Sequence, residues 1–352
     1  MKKIIYIILT IFYLLPLKVQ AIDISATSCV LMDMDSKRVL YADNIHDIRS
    51  VASISKIMTA VLAIESGKLD QVVTIGDEID SAYGSGIYIQ KGEQLSLRDL
   101  VYGLMLRSGN DAAYAIANFV GGNDFVEMMN NKASEIGMIN TTFNNPCGLD
   151  EDEGNYSTAY DMAILAAYAM KLDEYQKITS TKIYKLKTNK NYYLWINKHK
   201  LLGRYDYITG GKTGYTKKAL RTLVTTASKD NLNLVAVTLN DGDDFQDHNE
   251  LFQYGFSSYT NKTILEKGVL NIYDDIYYGI YDLSIDKDII YPLKEDDKVY
   301  LKYKLDKNHH EGSVGNVTLY INNREVLNEN ITAKKKDPKK NNNLIDWIGN
   351  IW

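Results

Sequence analysis

Ser53 and Lys56, in "SVASISKIMTA", stand three residues apart at the start of a helix-patterned run. At that spacing both side chains lie on one helix face, so the lysine amine can reach the serine hydroxyl. If burial and neighbouring cations lower the lysine pKa, the neutral amine can take the serine proton. The helix N-terminus then favours the negative charge that develops as the serine oxygen attacks a carbonyl. A second group, Ser108-Gly109-Asn110 in "LMLRSGNDAA", interrupts two helix-patterned runs. A break there can turn side chains into a cleft, where Ser108 offers a proton relay and Asn110 an amide for a substrate carbonyl. Helix capping is the alternative use of the same residues.

The third group lies in "DYITGGKTGYT", residues 206 to 216. Gly211-Lys212-Thr213 has the ending of a phosphate-binding P-loop, but that motif needs glycine five residues before Gly211. Asp206 stands there, a carboxylate facing the intended anion. The stretch reads as extended and precedes a hairpin, so it can present Lys212 and Thr213 to a bound carboxylate. Gly214 would let a ligand backbone approach closely. The backbone N–H groups of Tyr215 and Ser53 are candidate oxyanion donors.

The elements that must position these groups are legible in outline. "SCVLMDMDSKRVLYADN" reads as two strands joined at Asp35-Ser36-Lys37. "SISKIMTAVLAIESGKL" is a helix stopped at Gly67. One helix should run to Arg107, a break fall at Ser108-Gly109-Asn110 and a second helix end at Gly121, with a further helix in "STAYDMAILAAYAMKL". "LRTLVTTASKDNLNLVAVTLN" alternates about a Lys229-Asp230-Asn231 turn, a second hairpin, and "DHNELFQYGFSSY" is a closing helix. Strands at both ends with helices between them imply an α+β or mixed architecture over residues 22–260, one sheet backed by helices. From about residue 261 to 333, short Tyr/Val/Ile-rich runs between charged turns indicate a small all-β domain, its tyrosines serving cross-strand packing.

The chain has 352 residues, 45% of them hydrophobic, and a net charge of −5. That length allows one large domain plus a smaller one. A mildly acidic chain with no large basic block is not a nucleic-acid binder by electrostatics. Residues 1–21 have a positive start in Lys2 and Lys3, an apolar run from Ile4 to Leu17 and the small-residue site Val19-Gln20-Ala21, the pattern of a secretory signal peptide. An uncleaved anchor is the alternative; either way the body lies outside the cytoplasm. Cys29 and Cys147 are too few for a disulfide scaffold, and read as two buried thiols or one bridge. The five histidines have no metal-ligand spacing, so neither a metal nor a cofactor is expected. Residues 334–352 read as a basic linker and then "LIDWIGNIW", which places Leu344, Ile345, Trp347, Ile348, Ile351 and Trp352 on one helical face. Beside five lysines, that face fits a segment lying in a membrane interface; a disordered tail is the alternative.

Ser-x-x-Lys on a helix, Ser-Gly-Asn between helices and Lys-Thr-Gly on a strand, in this order, resemble the penicillin-binding serine D-alanyl-D-alanine carboxypeptidases. The likeness is to the low-molecular-mass, S11-like kind with a C-terminal β domain, and it implies an α+β, β-lactamase/DD-peptidase-like fold: an antiparallel sheet flanked by helices with a helical subdomain, plus a small all-β C-terminal domain. It extends to "GIYIQKGE", "GLDEDEGNYSTAYDMA", the β domain and the amphipathic tail. The resemblance implies that Ser53 is the acylated nucleophile, Lys56 its general base and Ser108 a proton carrier to the leaving amine. It also implies that Asn110 holds the substrate amide and that Lys212 and Thr213 engage the terminal carboxylate. The substrate implied is a peptidoglycan stem peptide ending in D-Ala-D-Ala, with penicillins acylating the same serine. In some relatives the region matching "NDGDDFQDHNE" places a cation near that carboxylate, and His248 is the candidate here, or else a helix-cap residue. Cys147 and Asn155 stand where relatives often carry histidine. A β-lactamase and a non-catalytic peptidoglycan-binding protein are the alternatives. Against the first, Ser-Gly-Asn replaces Ser-Asp-Asn and no deacylating glutamate is evident.

Overall fold

A computed structural model describes residues 22–150, 153–274, 276–308 and 310–336. The expected signal peptide and the amphipathic tail lie outside the described residues. Strands β1 (Ser28–Asp33) and β2 (Val39–Asp43) form the expected antiparallel hairpin. Every residue of β1 is buried, as a strand covered on both faces must be. After the two-residue β3 (Arg49–Ser50), a 3-10 turn over Ala52–Ser55 carries Ser53 into helix α1 (Lys56–Glu65).

Strands β4 (Val72–Thr74) and β5 (Gln94–Ser96) pair and lead into α2 (Leu97–Arg107). Ser96 and Asp99 close a capping box there, fixing where α2 starts. Ser108 then turns left-handed, at φ 64°, and α3 (Asn110–Val120) begins two residues on. Next come α4 (Phe125–Ile136), β6 (Tyr156–Ser157) against β3, and α5 (Ala159–Ala169), capped by the Thr158 hydroxyl. Helix α6 (Asp173–Thr179) precedes a hairpin of β7 (Ile183–Lys187) and β8 (Tyr192–Ile196).

Strands β9 (Ile208–Thr216), β10 (Leu220–Lys229) and β11 (Leu232–Leu239) complete the main sheet, in the order β2-β1-β11-β10-β9. Side chains alternate between its faces. Val30, Met32, Val235 and Val237 pack into the helical core, which includes Ile57, Leu104, Ile116 and Leu165. Leu31, Leu234 and Ala236 face the other way, onto Leu251 and Phe252 of α7 (Asp244–Ser258). Strand β9 is an edge, and Lys212 and Thr213 lie in it, as expected.

The C-terminal domain is all β. Strand β12 (Thr260–Leu265) pairs with β15 (Ile289–Leu293), while β13 (Gly268–Val269), β14 (Tyr281–Ile285), β16 (Val299–Leu305), β17 (Gly312–Ile321) and β18 (Arg324–Lys335) form one sheet. Tyr300 stacks on Tyr320 directly opposite, with centroids 4.9 Å apart, the cross-strand use expected of these rings. Two boundaries differ from expectation. Most of 270–280 is loop, because Asp274 caps the backbone N–H groups of Ile276 and Tyr277 and bends the chain. Lys334 and Lys335 belong to β18, paired with Asp282 and Tyr281, and not to a linker.

Candidate active site

Ser53, Lys56, Ser108, Asn110, Lys212, Thr213, Gly214 and Tyr215 converge where the 3-10 turn, the α2–α3 break and the edge strand β9 meet. Lys56 has no solvent exposure. Its Nζ lies 3.0 Å from Ser53 Oγ and 2.7 Å from Asn110 Oδ1, and also contacts the Cys147 carbonyl. Burial pushes its pKa down to about 8; the neighbouring Lys198 charge acts in the same direction. In the neutral amine two N–H groups serve Asn110 and Cys147, and the lone pair faces the Ser53 hydroxyl. Ala52, with φ 49°, sets the turn that aims Ser53, a backbone state seldom adopted by a non-glycine residue.

Lys212 is the second buried amine. Its Nζ donates to Ser108 Oγ at 2.9 Å and to the Thr213 carbonyl at 2.6 Å. Burial holds its pKa well below the usual lysine value, and the charges of Lys56 and Lys198 add to this. Asn110 is fixed by donating to the Tyr83 carbonyl at 2.5 Å, while its own N–H meets the Ser85 carbonyl at 2.7 Å. Neither Ser108 nor Asn110 makes a side-chain cap bond, so capping does not explain them. Gly214 has a different reason from the one expected. A Cβ there would sit 2.4 Å from Thr222 Oγ1 and 3.0 Å from Ser53 N, so glycine lets β9 close on the turn carrying Ser53. Tyr215 is 63% exposed, at the mouth of the cleft.

His248 is not in this cleft. It is fully buried on the inner face of α7, between Thr225 Oγ1 at 2.7 Å and Thr238 Oγ1 at 3.0 Å. Burial, with His199 nearby, holds its pKa well below 6.5. A neutral ring under the sheet can be neither the expected cation nor a surface helix cap. One of the cations facing the cleft is Arg221, on β10, whose Nη2 donates to the buried Asp244 at 2.5 Å. Lys198 and Lys200 line the same cleft of about 330 Å³. Arg221 carries little signal along the chain, since the turn after β9 that brings it back beside Tyr215 is a matter of register.

The two departures from the family pattern have structural roles. Cys147 contributes its backbone carbonyl to Lys56, a contact independent of its side chain, and the thiol lies 3.3 Å from Asn145 Oδ1. Asn155 is buried and braces the same loop, accepting from Asn144 N and Asn145 N and donating to the Asn145 carbonyl. Gly148, with φ 83°, is required because a Cβ would lie 2.0 Å from the Ala52 carbonyl oxygen. Both cysteines are free and buried. Among the described residues no cluster of His, Cys, Asp or Glu could hold a metal ion.

Comparison with known proteins points to one family. The sequence profile of the D-alanyl-D-alanine carboxypeptidases, peptidase family S11, matches residues 16–243. The chain is 40% identical over 221 residues to D-alanyl-D-alanine carboxypeptidase DacF of Bacillus subtilis (strain 168), covering 60% of this chain and 56% of that relative. It is 33% identical over 342 residues to D-alanyl-D-alanine carboxypeptidase DacA of Haemophilus influenzae, covering 88% of this chain and 84% of the relative. The crystal structure of penicillin binding protein 5 from Haemophilus influenzae superposes with a TM-score of 0.76 at 29% identity, over 88% of this chain and 97% of the other. The chain belongs to the D-alanyl-D-alanine carboxypeptidases of peptidase family S11.

Proposed function

We propose that this family member removes the terminal D-Ala from peptidoglycan stem peptides through an acyl-enzyme on Ser53. The observation that carries the reading is Lys56, buried and neutral-prone, with its amine 3.0 Å from Ser53 Oγ at the floor of the cleft. Lys56 takes the Ser53 proton as Oγ bonds to the carbonyl carbon of the penultimate D-Ala. The carbonyl oxygen gains negative charge opposite the N–H groups of Ser53 and Tyr215. The C–N bond breaks as the proton that Lys56 took passes by way of Ser108, which Lys212 holds, to the departing D-Ala amine, leaving Lys56 neutral. Water, deprotonated by Lys56, then attacks the ester, and the proton returns to Ser53 Oγ as the acid leaves.

Asn110 holds the substrate amide, and Thr213 with Lys212 meets the carboxylate of the terminal D-Ala. Arg221, braced by Asp244, takes the place assigned to His248 as the outer cation for that carboxylate. A penicillin presents an amide and a carboxylate at the same two positions and acylates the same serine. The sequence supports secretion through residues 1–21 and attachment of residues 344–352 to the outer face of the cytoplasmic membrane. A chain ending at Lys336 that sediments with vesicles as the full one does would remove the attachment.

The deciding experiment incubates the protein with labelled penicillin and with a short peptide ending in D-Ala-D-Ala. A covalent adduct on Ser53 and D-Ala release are expected, both absent in Ser53→Ala. In Arg221→Ala, kcat/KM should fall about 10-fold to 100-fold, the range for a lost charged hydrogen bond. An adduct persisting in Ser53→Ala would refute the nucleophile.

A further inference from the structure

The chain carries a net charge of −5, yet residues 175–205 hold eight Lys or Arg and no Asp or Glu. The β7–β8 hairpin gathers part of this charge on one surface. Its inner face packs on α2: Tyr184 stacks on Tyr102 at 3.8 Å, and Trp195 is buried. The acids that meet the hairpin, Asp99 through Tyr184 Oη and the buried Glu93 through Thr188 and Tyr193, are all on that inner side.

The outer face is a ladder of three cross-strand pairs: Ile183 opposite Ile196, Lys185 opposite Leu194, and Lys187 opposite Tyr192. All six are exposed, and the four apolar members between 52% and 78%. A solvated strand face would alternate toward polar residues, and a core face would be covered. A contiguous exposed row of aliphatic and aromatic side chains marks an interaction surface. Here lysines flank it and no carboxylate offsets them.

The row also runs into the cleft. Arg107, the residue before Ser108, donates to the Ile196 carbonyl at 3.0 Å, and Lys198 and Lys200 just beyond Ile196 line the active site. From Ile196 outward to Tyr192 the strand extends about 14 Å. We propose that this outer face is a docking ledge for the peptidoglycan polymer whose stem peptide occupies the cleft. Stem carboxylates pair with Lys185 and Lys187, and the sugar and alkyl faces of the polymer lie on Tyr192, Leu194 and Ile196. Charge complementarity and continuity with the cleft favour this occupant over a lipid surface. The inference rests on the reading of the cleft given above.

The test is co-sedimentation of the full chain, as Ser53→Ala, with insoluble peptidoglycan, with and without Lys185→Glu, Lys187→Glu and Leu194→Ser. The triple variant should retain tenfold less protein on the polymer. With Ser53 intact it should release D-Ala from the polymer at least tenfold more slowly, while penicillin acylation and release from a short peptide change less than twofold. Unchanged retention on the polymer would overturn the proposal. So would loss of binding to anionic phosphatidylglycerol vesicles with retention on the polymer intact, which would make the face a membrane contact. If the triple variant also loses its penicillin adduct, Leu194→Ser alone and the lysine pair alone carry the same comparison. If the parent chain releases no D-Ala and forms no adduct, the reading of the cleft fails, whereas the Ser53→Ala binding result still decides the ledge.

Discussion

An ammonium cannot accept a proton, so in the mechanism proposed for Ser53 the charge state of Lys56 decides whether the serine is activated. Burial lowers its pKa from 10.5 to about 8. Acylation by penicillin should therefore rise with pH, with a midpoint near 8, and Lys56→Arg should remove both the activity and the rise. Single-mixing kinetics across pH 6 to 10 check this; a flat profile would exclude Lys56 as the base. The sign for stability is the same. The folded-state value is depressed, so the contribution is whole above about 10.5 and is lost as pH falls toward about 8. His199 behaves alike at lower pH: buried, with its pKa pushed down to about 4, it withdraws stability as pH falls from 6.5. Its Nε2 shares Thr225 Oγ1 with His248 Nδ1, so two of the five histidines form a neutral network under the sheet.

The site depends on short connections between elements more than on the elements themselves. Asp111, the first residue after Asn110, accepts from the N–H groups of Ile87, Tyr88 and Ile89 and so holds the "GIYIQ" loop against the start of α3. That loop supplies the Ser85 carbonyl to Asn110, and Tyr88 is kept at φ 63°, a strained state for a bulky residue. Asp111→Ala would leave these donors without their acceptor. A loss of about 2–4 kcal/mol in denaturant unfolding is expected, each stranded buried donor costing about 1–3 kcal/mol. Penicillin acylation should slow with it, because Asn110 loses its support. A change below about 0.5 kcal/mol would mean that the loop is held by its packing alone.

Across the whole molecule, one side chain does much of the joining of the two domains. Arg38, in the turn between β1 and β2, donates to the Pro292 carbonyl at 2.5 Å and to both oxygens of Asp297 at 2.8 and 3.2 Å. Its guanidinium also lies over the rings of Tyr259 and Tyr291. Lys294 reaches back to Tyr254 of α7 at 2.7 Å. Burial would raise the pKa of Asp297, but hydrogen bonds from Arg38, Lys294 N and Asn322 outweigh it and hold the carboxyl below its usual range. Arg38→Ala should cost about 1–3 kcal/mol. In calorimetry it should split one thermal transition into two, with acylation kinetics intact; one undivided transition would show the interface to be held mainly by β12 and β15.

The sequence by itself pointed to the chemistry and to the order of the main helices and of two hairpins. Ser53, Lys56, Ser108, Asn110 and Lys212 are named by short spacings, and the helix break and the two hairpins by periodicity, because both signals are local along the chain. What only the tertiary structure decided depends on partners distant in sequence. The Cys147 carbonyl that meets Lys56 has no side-chain signature, and Gly214 answers to Ser53 and Thr222 of other elements. His248 had the residue type for a cation, but the rotation of α7 on the sheet buried it and left Arg221 facing the cleft. The β7–β8 hairpin escaped periodicity for a related reason. With Tyr184, Leu186, Tyr193 and Trp195 on its inner face and Ile183, Tyr192, Leu194 and Ile196 on its outer, the two-residue contrast between faces is weak. Which face was covered, and which was left open beside the active site, was settled by packing against α2.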